Sequence, residues 1–154
     1  MDADRQSASQ FRTRPVVVAS SAGRLVAVDR QTVASVATIP CSPALPGSAP
    51  WVDGVGDHDG RMALVVAPFG HADEAGGDPA IRQVSVLILT GSTPLVAAIR
   101  VDGPASLADA TPGTGGERVS AACPAAWLRP CRLGDGREAV LVSPDAIARS
   151  WVAA

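Results

Sequence analysis

Residues 45–66 read LPGSAPWVDGVGDHDGRMALVV, and the rest of the chain is organised around them. Leu45, Pro46 and Gly47 form a turn signal: proline fixes its own φ, and glycine enters backbone regions closed to other residues. Ser48 is placed to cap a short helix whose early Pro50 forfeits no intrahelical bond, since first-turn amides have no acceptor there. Trp51, Val52 and Val55 fall at i, i+1 and i+4, a narrow apolar stripe suited to plugging the end of a barrel or sheet. Gly54 and Gly56 are expected to stop that helix. Residues 57–60, DHDG, have the composition of a polar connection, and residues 62–66 read as a buried strand.

The order and spacing of Leu45, Pro46, Gly47, Trp51, Val52, Gly54, Val55 and Gly60 resemble the signature of the CheW-like domain, the adaptor module of bacterial chemosensory arrays. Its pattern is Leu-Pro-Gly-x-x-x-Trp/Tyr-Val/Ile-x-Gly-Val, then Asn-Leu-Arg-Gly-x-Val and an apolar strand. Asp57, His58 and Asp59 stand here where that pattern has Asn, Leu and Arg. The matching positions shape a backbone, whereas the substituted ones lie in the loop the family uses to contact partners. The resemblance extends weakly over residues 16–147 and is specific over residues 24–66. It implies a mainly β fold of two SH3-like five-stranded β-barrel subdomains sharing a hydrophobic core, with short helices and a C-terminal helix.

At 154 residues the chain suits one domain or two small subdomains, and folding would bury about 70% of the surface its unfolded chain exposes. Its 47% apolar and 18% charged residues are globular in character. With no Tyr, two Phe and three Trp, the core must be built from Val, Ala, Leu and Ile. The net charge is −2 and no Lys occurs, so the clustered cations of a nucleic-acid surface are missing. Residues 1–14 lack the apolar segment of a signal peptide, and no apolar run approaches the roughly 20 residues that span a bilayer. The expectation is a cytoplasmic protein without membrane insertion. Cys41, Cys123 and Cys131 have neither the even count of a disulfide framework nor zinc-knuckle spacing, and read as small core or turn residues.

Taken in order, residues 1–13 read as a flexible lead-in and residues 14–154 as the folded body. Residues 15–19 and 25–28 form a hairpin around a small polar loop. Asp29 caps a single helical turn, and residues 36–39 return to strand, ended by Pro40. Residues 68–79, rich in Gly, Asp and Pro, mark a boundary between two halves, placed near 68–80. Residues 84–90 and 95–101 are strong strands in which Val84, Val86 and Ile88 face one way and Leu87 and Leu89 the other, so both faces are covered. Residues 106–110 add a strand, residues 111–117 a loop, and Gly134, Asp135 and Gly136 give the strongest hairpin signal, between residues 127–133 and 138–142. Ser143, Pro144 and Asp145 open a last helix in which Ile147 and Trp151 share a face.

Catalysis needs a nucleophile, a base and a group that orients it. The two histidines, His58 and His71, sit instead in Asp- and Gly-rich loops where solvation is the plainer reading. Residues 57–59 cannot converge three consecutive side chains on one metal ion. The glycines of residues 54–60 and 111–116 match no nucleotide loop. No enzyme, metal or cofactor is expected, and a surface for protein partners remains. The resemblance implies two partners: the regulatory domain of a CheA-type histidine kinase and the cytoplasmic tip of a chemoreceptor. Carried over by position, the partner-binding candidates are Val36, Ile39, Asp57, His58, Asp59 and Gly60. Leu45, Pro46, Gly47, Trp51, Gly54 and Val55 are the structural motif. Core packing is the plain alternative for Val36, Ile39 and Trp51. Asp59 inverts the charge of an Arg that would grip an acidic partner, so the resemblance leaves two roles open: coupling of receptor to kinase, or a divergent module that binds array or other regulatory proteins without coupling them.

Overall fold

A computed structural model describes residues 13–45, 47–70, 81–90, 96–113 and 121–152, with side chains as far as residue 149. The chain order is β1 (Arg14–Ser21), β2 (Arg24–Asp29), a 3-10 turn (Arg30–Thr32), β3 (Val33–Pro43), β4 (Val52–His58), β5 (Arg61–Val66), β6 (Arg82–Leu89), β7 (Val96–Val101), β8 (Ser106–Pro112), a second 3-10 turn (Ala125–Trp127), β9 (Leu128–Leu133), β10 (Glu138–Val142) and α1 (Pro144–Val152).

These strands close into two five-stranded barrels, β1-β2-β10-β9-β8 and β3-β4-β5-β7-β6. The expected architecture of paired small barrels is present. The boundary expected near residues 68–80 does not separate them, because β5 and β6, the strands before and after it in sequence, belong to the same barrel. Two parallel pairings decide the outcome. β10 pairs with β2, which draws the C-terminal strands onto the N-terminal hairpin, and β5 pairs with β7, which closes the middle strands on themselves.

Alternation sorts the apolar residues into three clusters. Val84, Val86 and Ile88 point into the second barrel with Ile39, Cys41, Ala63, Val65, Val96 and Ala98. Leu87 and Leu89 point the other way, into a seam with Val26, Val28, Ile99, Trp127, Val142 and Ile147, drawn from both barrels. Val16, Val18, Ala27, Cys131 and Leu133 fill the first barrel. Small barrels leave little interior volume, so Val, Ala and Cys line them with only Ile39, Ile88 and Leu133 among the larger buried side chains, while Trp127, Leu87 and Ile99 occupy the seam.

Several local signals are realised as read. Asp29 caps the first 3-10 turn through the Gln31 amide at 3.0 Å, and Ser143 Oγ accepts from the Ala146 amide at 3.3 Å as α1 opens. Gly136, at φ +90°, closes the β9–β10 turn, where Asp135 accepts from the Arg137 backbone and side chain. The helix expected over residues 48–55 is absent. Two tight turns stand there instead, with Ser48 N donating to Leu45 O and Val52 N to Ala49 O, and β4 starts at Val52.

Gly54 and Gly56 therefore lie within a strand rather than at a helix end. A Cβ on Gly54 would collide with the Ser42 carbonyl oxygen, and one on Gly56 would stand 2.7 Å from Ile39 Cδ1. The glycines let β4 pass close over β3. Pro40 does not end β3 either, since it pairs with Gln83 of β6. Its β4 neighbours begin only at Cys41, so Pro40 has a single ladder partner and its missing amide is tolerated. Residues 1–12, Pro46, His71 and the side chain of Trp151 lie outside the described residues.

Candidate functional site

The outer surface of the second barrel carries most of the large exposed apolar side chains among the described residues. Val36, Val55, Met62 and Ile81 are 53%, 40%, 58% and 66% exposed, and Leu45 projects from the connection between β3 and β4. Pattern explains their direction: along β3 the residues facing inward are Ile39 and Cys41, leaving Val36, Pro40 and Ser42 outward. On β4 and β5, Val55 and Asp57 pair with Leu64 and Met62. The result is an open groove of about 450 Å³ whose lining includes Pro40, Ser42, Val55, Asp57, Met62 and Ile81.

The tip of the β4–β5 hairpin contributes Asp57, Gly60 and Arg61 to the groove. His58 pairs with Arg61, so Asp59 and Gly60 are the whole turn, at φ +52° and +79°. A two-residue turn with both residues left-handed matches the right-handed twist of its strands, and Asp-Gly is a favoured pair for it. Asp57 Oδ1 accepts from the Gly60 amide at 2.9 Å, which further fixes the loop. His58 Nε2 lies 3.6 Å from Asp59 Oδ2, and the Asp59 side chain is 90% exposed. Apolar side chains of the groove, Val55 and Met62, and the charged pair Asp57 and Arg61 thus share one hairpin.

Of the expected partner contacts, Asp57, His58, Asp59 and Gly60 share the β4–β5 hairpin, where Asp57 and Gly60 line the groove, and Val36 is exposed on β3. Ile39 is 3% exposed and belongs to the interior of the second barrel, so its side chain supports the face from behind rather than forming part of it. The motif residues act as scaffold. Gly47 takes φ +86°, Trp51 packs on the seam, and Val55 alone among them lines the groove. The strand alternation that exposes Val55 also exposes Met62, and Ile81 stands just before β6; sequence reasoning singled out neither Met62 nor Ile81.

Behind the groove lies a residue that sequence reasoning missed. Asp53 is 1% exposed, at an irregularity where the β4–β5 register shifts between Val52 and Gly54. Its Oδ1 accepts from Arg100 at 2.9 Å and lies 3.6 Å from Arg82. The available signal was Arg100, a cation in the apolar run of β7 that needed an acid opposite it. Burial, reinforced by the Asp53 charge, pushes the Cys41 thiol up to about 11, and burial does the same for Cys123. Such thiols stay protonated and inert near neutrality. Among the described residues, no three His, Cys, Asp or Glu side chains are grouped to hold a metal ion, and no helix is long and apolar enough to cross a membrane.

No family model matches the chain, and no curated protein matches it. Among solved structures, it is similar to the scaffolding protein TtCheW from Thermoanaerobacter tengcongensis, with a TM-score of 0.58 at 16% sequence identity. The likeness covers 85% of this chain and 84% of that one. The fold is therefore CheW-like, at a sequence identity of only 16%.

Proposed function

We propose that this two-barrel body is a non-enzymatic adaptor of bacterial chemosensory signalling, linking a CheA-type histidine kinase to chemoreceptors. The observation that carries the reading is the coincidence of a CheW-like fold over 85% of the chain with an open apolar groove beside the Asp57–Gly60 positions expected to meet partners. A groove of this kind suits an amphipathic helix, which lays an apolar ridge along Val55, Met62 and Ile81. Val36 extends the same surface along β3. Large apolar side chains concentrated on one surface are the usual mark of a protein interface.

A second reading is favoured by one specific observation. Asp57 lines the groove beside Arg61, and Asp59 stands exposed in the adjoining turn, where the family pattern has Asn and Arg. Charged pairs at an interface are worth about 1.5 to 7 kcal/mol by double-mutant cycles. An acidic receptor tip would be repelled, so this reading is of a divergent CheW-fold module that binds array or other regulatory proteins without coupling receptor to kinase. Pull-down of the wild-type chain with the regulatory domain of a CheA-type kinase and with a chemoreceptor tip from the same host separates the two. Retention of both supports coupling, and retention of the kinase domain alone supports the divergent module. If Asp59→Arg strengthens receptor retention, the charge is the cause. Stronger receptor binding by the wild type than by Asp59→Arg counts against divergence.

A further inference from the structure

β3 is paired unevenly along its length. Against β6 it is matched over residues 33–41, but against β4 only at Cys41, Ser42 and Pro43. β4 turns back into β5 after His58, so on the side away from β6 no described strand pairs with residues 33–40. Alternate residues of an antiparallel strand direct their amide and carbonyl to opposite sides, so part of this backbone faces an open edge.

Burial along β3 is an independent sign of that edge. Ser35, Ala37, Ile39 and Cys41 alternate onto one face, and they pass from exposed through half-buried to buried as β4 comes alongside. Ala34, Val36 and Thr38 are exposed as well. The register shift between Val33 and Ser35 marks one end of the regular edge, and Pro40, which has no amide to offer, marks the other.

The first barrel has the equivalent edge, and there it is guarded. β8 is matched to β1 over residues 106–110 and to β9 only over residues 110–112. Asp109 sets a charge on that edge, and its carbonyl accepts from the Gly134 amide of the β9–β10 turn at 2.9 Å. Charged side chains on an edge are an ordinary protection against pairing with another chain. β3 lacks it. At 11 residues it is the longest of the described strands, and it is the one among them without a charged residue.

That composition selects the occupant. When an edge pairs with its own copy about a two-fold axis, each residue meets its counterpart in mirrored order, and a charge near the axis faces its like. Residues 31–52 carry no charge, so the β3 edge escapes this penalty. We propose that the open edge of β3 pairs with the same edge of a second copy of this chain, antiparallel, with Val36 close to the two-fold axis. Main-chain hydrogen bonds then complete the outward amides and carbonyls, and Val36, 53% exposed, gains apolar contact across the axis. The paired stretch is short, so the dimer is weak and depends on concentration. Val36 also lies on the face proposed for signalling partners, but the inference is independent of that reading, and its deciding measurements contain the chain alone.

Sedimentation equilibrium of the full chain from about 1 µM to about 1 mM is expected to show monomer passing into dimer. Val36→Lys and Val36→Glu are each expected to stay monomeric over the same range, because each sets like charges beside the axis. An equimolar mixture of the two is expected to regain the dimer, which separates a lost contact from a lost fold. Amide hydrogen exchange of the wild type needs no variant: alternate amides among residues 35–39 should exchange more slowly at the upper concentration than at the lower. A wild type that remains monomeric, a dimer that survives both substitutions, or a mixture that remains monomeric overturns the inference. Monomer throughout, with those amides slowed only when the regulatory domain of a CheA-type kinase is added, assigns the edge to a partner's strand and overturns it likewise. Should either variant fail to fold, exchange decides alone, and equal rates at residues 35–39 at both concentrations overturn it.

Discussion

The ring of Trp51 meets that of Trp127 edge to face, with centroids 4.7 Å apart and planes at 63°. Trp51 comes from the turn before β4 and Trp127 from the turn before β9, so one aromatic pair spans the two barrels. It lies in a seam built mostly of aliphatic side chains, with Phe69 and Cys123.

Because Trp127 is fully buried, Trp127→Ala is expected to cost about 3–5 kcal/mol in urea unfolding. Trp51 is half-buried and Trp51→Ala should cost less. The double-mutant cycle should return a coupling of about 0.5–1.5 kcal/mol, the range for an edge-to-face pair beyond its buried area. Additive losses would mean that the two rings do not support each other.

The close passage of β4 over β3 predicts an order of severity among glycine substitutions. Gly54→Ala drives a methyl against backbone, whereas Gly56→Ala meets a movable Ile39 side chain as well as the Pro40 carbonyl. Both should destabilise, in the range of about 1–3 kcal/mol for an overpacked site, with Gly54→Ala the worse. Gly103→Ala, with open space at its Cβ, serves as the control in the same thermal melts.

Buried thiols set the alkaline limit of stability. Cys41 and Cys123 are held near 11 in the folded chain against 9.0 for the free group. Their contribution is present below pH 9 and is lost as pH rises toward 11, because the unfolded chain releases these protons first and is favoured by doing so. Urea midpoints measured from pH 7 to 11 should fall across that window. Cys41→Ala with Cys123→Ala should flatten the fall, at the cost of small cavities.

The hairpin at residues 57–61 separates turn chemistry from charge. Asp59→Asn keeps a residue that accepts positive φ and should leave the melting temperature nearly unchanged, while Asp59→Val should lower it, since a β-branched residue resists the left-handed region. Differential scanning calorimetry of the two variants checks this. A partner-binding change in Asp59→Asn is then a charge effect and not a folding effect.

Strands announced by turn chemistry were legible in the chain. The glycines and aspartate at residues 134–136, the two-sided apolar alternation of residues 84–89, and the caps at Asp29 and Ser143 all stand as read. The failure at residues 48–55 has a definite origin. Trp51 and Val55 share a helical spacing, but so short a stretch cannot tell period 3.6 from the demands of a neighbouring strand, and Gly54 and Gly56 answer to β3. The pairing of β10 with β2 is remote in sequence and leaves no local trace, which is why one barrel inserted into the chain of the other looked like two consecutive halves. At the site, the acidic hairpin was legible from composition. Ile39 was drawn inward by strand alternation, and Asp53 stayed hidden because an isolated acid between Val52 and Gly54 reads as surface until Arg100 is placed beside it.

The central claim is that the outer face of the second barrel is held by signalling proteins. Isothermal titration of the chain with the regulatory domain of a CheA-type kinase and with a chemoreceptor tip from the same host, repeated with Met62→Glu and Val36→Asp, tests it most directly. The account predicts binding by the wild type and a loss of at least about tenfold, or about 1.4 kcal/mol, when a charge is placed on either exposed apolar side chain. Wild-type affinity for both fragments in both variants, or no binding by the wild type to either fragment, would contradict it.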